Sequence, residues 1–117
     1  MKAIYALIVW SLMIIILSVL PVSEDRMSIF EHEDKVVHFV LYAIHCVLLI
    51  ACLNNYQNRK YAIAIIVSIL FGVAMEFTQG VLNTERHFDY FDIIANISGS
   101  FIGSFLFYLL PKKIQDG

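Results

Sequence analysis

The chain has 117 residues, 60% of them hydrophobic and 15% charged, with a mean hydropathy of +0.77. A soluble domain is roughly 45–50% apolar and about 25% charged, so these charges are too few to cover a water-exposed exterior. The composition points to the membrane. A net charge of −2 leaves no basic footprint for nucleic acid.

The first apolar run, Ala3–Leu20, stops at Pro21. It is longer than the roughly 7–15-residue core of a secretory signal and is read as a retained span. An acidic stretch follows, Val22–Glu33, with Glu24, Asp25, Glu31 and Glu33 against Arg26. The second run, Val36–Leu53, contains both cysteines, Cys46 and Cys52, six residues apart and on different faces of a helix. They read as small buried hydrophobes. After a polar turn from Asn54 to Lys60 come the third run, Tyr61–Leu82, and the fourth, Asp92–Leu110, closed by Pro111, Lys112 and Lys113.

Each run is long enough to cross a bilayer as a helix, which takes about 20 residues. Alternating ten-residue segments of the barrel type are absent from the sequence. The expected fold is an all-α membrane protein, a bundle of four transmembrane helices over about 3–20, 36–53, 61–82 and 92–110, forming one domain from 1 to 117. Lys2, Arg59, Lys60, Lys112 and Lys113 fall on one side, and Arg26, Lys35 and Arg86 on the other. The richer side is expected to be cytoplasmic, with both termini inside. Trp10, Tyr5, Tyr56 and Tyr108 are expected in the aromatic belts.

The ionisable residues of three runs gather at one end, which this topology puts at the outer face. Asp34, His38, Tyr42 and His45 share a stripe on the second helix. Ser68, Gly72, Glu76 and Gln79 share one on the third, and Asp89, Asp92, Asn96, Gly99 and Gly103 one on the fourth. Charge within a bilayer costs roughly 2.5–3.5 kcal/mol per residue at mid-depth on insertion scales, so aligned stripes imply a shared interior. At ~1.5 Å per residue, Glu76 lies about 9 Å in from Leu82, His38 and Asn96 each about 6 Å past Asp34 and Asp92, and His45 some 16 Å down. The first three can meet in a shallow cavity. His45 is the outlier and reads as a hydrogen-bonded core histidine.

Ala95, Gly99 and Gly103 form a small-xxx-small series that lets a neighbouring backbone approach. The fourth helix is therefore expected to lie centrally, against the second or third. Asp34 and Asp92 can serve as helix caps, and Lys35 can snorkel to the interface. Glu76 needs a partner from another helix, with Arg86, Lys35 and His38 as candidates. His32 and His87 read as solvated loop residues.

The strings DKVVHFVLY, Asp34 to Tyr42, and EFTQGVLNTERHFDYFDIIANISGSFIG, Glu76 to Gly103, resemble the two signature segments of the VanZ-like family. Asp34, Lys35, His38, Phe39, Tyr42, Glu76, Gln79, Arg86, Phe88, Asp89, Asp92, Asn96, Gly99 and Gly103 occupy its motif positions. Before Arg86, where relatives often carry Pro or Gly, this chain has Asn83, Thr84 and Glu85. The resemblance implies a multi-pass protein of the bacterial cytoplasmic membrane, tied to the cell envelope and associated with teicoplanin resistance. It implies no settled reaction.

The favoured function is binding or handling of an anionic envelope ligand, a lipid-linked precursor or lipid headgroup, with a glycopeptide-related ligand as a variant. Asp34, Lys35, His38, Glu76, Gln79, Arg86, Asp89, Asp92 and Asn96 make up the expected site. Lys35 and Arg86 would hold phosphate. A membrane-embedded enzyme is the alternative, with His38 and Glu76 or Asp92 as acid and base. A transporter or accessory subunit, requiring a homo-oligomer, comes third. A metal variant of the enzyme would use His38 with the carboxylates, but no cofactor and no metal is expected, because H-E-x-x-H or comparable ligand spacing is absent and Lys35 and Arg86 would repel a cation.

Overall fold

The computed structural model describes residues 2–20, 33–82 and 89–116. Four helices are long and apolar enough to cross a membrane: α1 (Lys2–Val19), α2 (Glu33–Cys52), α3 (Arg59–Leu82) and α4 (Tyr90–Leu109). A short 3-10 turn, Asn54–Tyr56, links α2 to α3, and a four-residue α5 (Lys112–Gln115) follows α4. The spans have 18, 20, 24 and 20 residues, so at ~1.5 Å per residue each covers about 27–36 Å, matching a hydrocarbon core of ~30 Å. Among the described residues there is no strand.

The helices start earlier than the apolar runs suggest: Lys2, Glu33, Arg59 and Lys60 lie in the first turns of α1, α2 and α3, and Tyr90 and Phe91 open α4. Glu33 and Asp34 lie in the first turn of α2, where the positive end of the helix dipole favours acids. The cap of α4 is Asp89 rather than Asp92: its side chain accepts the Phe91 N–H at 2.9 Å. Asp92 is thereby released to point inward.

Glycine sets the central contact, as the small-residue series suggests, and the partner is α2. A Cβ on Gly99 would overlap the carbonyl oxygen of Phe39, and one on Gly103 that of Ala43. The two pairs advance together along both chains, so α2 and α4 run parallel in close backbone contact. α3 packs antiparallel beside them. α1 is tied on by Trp10, whose indole N–H donates to the Leu41 carbonyl at 2.9 Å. Trp10 sits midway along α1 and bonds another helix, so it is not a belt residue, contrary to expectation.

Burial is inverted relative to a soluble protein. The buried set includes Ser18, His45, Ser68, Glu76, Gln79, Asp92, Asn96, Ser100 and Ser104, whereas Val9, Leu12, Leu70, Phe101, Phe105 and Leu106 are exposed. Apolar side chains meet lipid and polar ones satisfy one another inside. At the end away from the polar cluster, Cys46, Ile50, Ala64 and Phe107 form an apolar core. Lys60, 7% exposed, caps it with its ammonium 5.5 Å from the Phe107 ring centroid, a cation–π contact.

Candidate polar site at the helix ends

The first turn of α2, the last turns of α3 and the start of α4 converge at one end of the bundle. Lys35 is the hub of the outer layer. Its Nζ lies 2.5 Å from Asp34 Oδ2, 2.7 Å from Asp89 Oδ2 and 2.6 Å from Asp92 Oδ1. Asp92 Oδ1 is buried without a well-directed hydrogen bond, so its compensation is the lysine charge itself. Lys35 is not an isolated snorkel: it bridges two helices. Exposure falls inwards along this group, from 60% for the Asp34 side chain to 36% for Asp89 and 11% for Asp92. Lys35 beside it holds the Asp89 carboxyl below its usual value of 3.8, helped by the Phe91 N–H.

The inner layer begins on the other side of Asp92. Its Oδ2 is 3.6 Å from His38 Nε2, and His38 Nδ1 is 3.1 Å from Asn96 Oδ1. Glu76, 1% exposed, accepts the Asp89 backbone N–H on Oε1 at 2.9 Å, which ties the cap of α4 to α3. One ligand-type atom each from His38, Glu76 and Asp92 lies within 4.8 Å of the others. Gln79 is buried at 5% exposure, three residues beyond Glu76 on α3. Gly72 makes room for the layer, since a Cβ there would sit 3.0 Å from Asn96 Nδ2 and 3.1 Å from Tyr42 Cε1.

Asp34, Lys35, His38, Glu76, Asp89, Asp92 and Asn96 thus come together. Arg86, expected as a phosphate ligand and partner of Glu76, lies outside the described residues, as do His32, His87 and Phe88. His45 stands apart. Its Nδ1 pairs with Ser68 Oγ at 3.2 Å, Ser100 Oγ donates to Ser68 Oγ at 2.9 Å, and the imidazole stacks on Phe71 with centroids 4.8 Å apart. Ser100 was not among the expected polar residues, although it lies four residues beyond Asn96 on the same stripe.

The VanZ/LLP1 family profile matches residues 3–111. The chain belongs to this family. Two curated yeast proteins, both described as uncharacterized, are also similar. One from Schizosaccharomyces pombe is 33% identical over 82 residues, 69% of this chain and 50% of its own length. One from Saccharomyces cerevisiae is 33% identical over 85 residues, 65% of this chain and 78% of its own length. The chain therefore spans about half of the fission-yeast relative. No solved structure matches. With four membrane-competent helices in a VanZ/LLP1 chain, this is a membrane protein.

Proposed function

We propose that this VanZ-like protein binds or handles the anionic headgroup of a membrane lipid or lipid-linked envelope precursor at its polar helix-end site. The reading rests on one observation, the position of Lys35 at the rim, 22% exposed and held by three carboxylates of graded exposure. The most exposed of them, Asp34, is the one a phosphate can replace. Exposed ion pairs are worth only about 0–1 kcal/mol, so the exchange is cheap, while Asp89 and Asp92 keep the ammonium in place. His38 and Asn96 beneath would then meet headgroup hydroxyls.

The Lys and Arg distribution supports an extracytoplasmic site with both termini inside. The family resemblance supports the bacterial cytoplasmic membrane and a link to teicoplanin resistance. Relatives in two yeasts favour a ligand more general than a glycopeptide-related one. The test is mass spectrometry of lipids that copurify with the full chain and with Lys35→Gln. A phosphate-bearing lipid retained by the wild type and depleted in the variant supports the reading. Equal retention, or no bound lipid in the wild type, overturns it.

A second reading is favoured by the oriented imidazole. With Nδ1 on Asn96 and Nε2 facing Asp92, His38 is placed as a general acid or base, with Glu76 or Asp92 as its carboxylate partner. Phosphate release from a lipid-phosphate substrate by purified protein, abolished in His38→Gln, would carry that reading. Inertness of the wild type would remove it.

A further inference from the structure

We infer that His38 Nε2 and the carboxylates of Glu76 and Asp92 form a site for one divalent transition-metal ion, Zn2+ or Mn2+, gathered from α2, α3 and α4. The inference goes beyond headgroup binding and does not depend on it.

Distance is the first argument. The three ligand atoms lie within 4.8 Å of one another. Metal bonds of about 2.0–2.2 Å in a tetrahedral site set ligand pairs about 3.4 Å apart, so side-chain rotation must bring the widest-spaced pair together by about 1.4 Å at most. The 3.6 Å between His38 Nε2 and Asp92 Oδ2 is too long for a good hydrogen bond. It is close to the edge of about 3.4 Å expected between two ligands of a tetrahedral ion.

The state of the imidazole is the second. Asn96 Oδ1 can only accept, so the tautomer that makes this 3.1 Å hydrogen bond carries its proton on the nitrogen facing it. In the neutral ring, Nε2 is then left with its lone pair towards the carboxylates. Metal-bound histidines are commonly held in this way, by a second hydrogen bond from the other nitrogen. Gly72 backs the arrangement closely, since a Cβ there would press on the Asn96 side chain at 3.0–3.3 Å.

Charge is the third. Asp34, Asp89 and Asp92 form another close group of possible ligands, but there the Lys35 ammonium already lies 2.5–2.7 Å from each carboxylate. The protein fills the first of these two adjoining anionic niches with the Lys35 ammonium, and Asp92 contributes an oxygen to each. Lys35 faces three carboxylates, so its charge is already more than compensated before a metal ion enters. A carboxylate has about four acceptor positions, so the Asp89 N–H on Glu76 does not prevent ligation. One imidazole and two carboxylates suit Zn2+ or Mn2+, and three protein ligands leave a position for water or a phosphate oxygen. A metal on Nε2 takes the lone pair that acid–base catalysis by His38 would need.

The full chain, purified in detergent and stripped of metal, should be titrated with Zn2+ by calorimetry. One ion per chain with a Kd of about 10 μM or tighter is expected, weakened about 10–100-fold or more in His38→Ala and Asp92→Asn. Asp34→Asn should bind within about twofold of wild type, because Asp34 belongs to the lysine niche. Should His38→Ala fail to fold, histidine-15N NMR of the wild type decides: Zn2+ must shift one imidazole Nε2. No saturable binding, equal affinity in the variants, or unmoved imidazole signals would overturn the site. Lipid retention tests the headgroup reading separately, so either can fail alone.

Discussion

His38 and Asn96 meet across the α2–α4 contact with Nδ1 and Oδ1 3.1 Å apart, and that bond decides which imidazole nitrogen faces Asp92. Asn96→Leu should therefore weaken Zn2+ binding about 10–100-fold although Asn96 is no ligand. Asn96→Asp, which keeps an acceptor at the same place, should retain binding within about fivefold of wild type on the same reasoning. Calorimetric titration of the two variants checks this. Equal loss in both would mean that Asn96 only fills space.

The α2–α4 seam should tolerate no side chain at its two glycines. A methyl on Gly99 or Gly103 meets a backbone carbonyl of α2, which cannot rotate away as a side-chain tip could. Overpacking of this kind usually costs about 1–3 kcal/mol, and the rigid neighbour puts Gly99→Ala at the upper end. Exposed Gly80 on α3 is the control, and Gly80→Ala should be neutral or slightly stabilising. Thermal unfolding in detergent with equal Tm for Gly99→Ala and wild type would remove the close contact as a determinant of the fold.

The seam was readable from the sequence because small residues repeat every four positions, and the spans were readable because lipid demands unbroken apolar runs. The stripes also placed His38, Glu76, Asp92 and Asn96 on inward faces, since a lipid-facing amide or carboxylate has no partner, whereas Lys35 read as an interfacial snorkel. Other features depend on relations between helices that spacing within one helix does not encode. Ligand spacing such as H-E-x-x-H says nothing about a set with one residue on each of three helices, so its absence, counted against a metal on His38 and the carboxylates, was weak evidence. Trp10 looked like a belt aromatic because only the fold brings the Leu41 carbonyl to its indole. Asp89 and Asp92 are three residues apart, both able to cap α4, and the Lys35 ammonium between them draws Asp92 inward.

The deeper polar group should matter for stability and not for ligand binding. Ser68 Oγ pairs with His45 and accepts from Ser100, and all three residues are buried. Removing the hydroxyl leaves a buried imidazole without this partner, at a cost of about 1–3 kcal/mol. Ser68→Ala should lower the Tm in detergent yet keep Zn2+ affinity and lipid retention. A loss of affinity at unchanged Tm would instead join His45 to the functional cluster.

Acid should loosen the helix-end cluster through Asp89. Lys35 holds the folded-state pKa of Asp89 below its usual 3.8, so the folded form binds fewer protons than the unfolded form in that range. The resulting stabilisation is fully present above the unfolded pKa and is lost as pH falls through the lower, folded value. Wild-type Tm should therefore decline as pH is lowered from 5 through the region below about 4. Asp89→Asn should start less stable at pH 7 and show a shallower decline, because its amide keeps an oxygen for the Phe91 N–H but no titrating charge for Lys35. Parallel Tm–pH curves for the two proteins would show that the Lys35–Asp89 contact, for all its 2.7 Å, does not stabilise this end of the bundle.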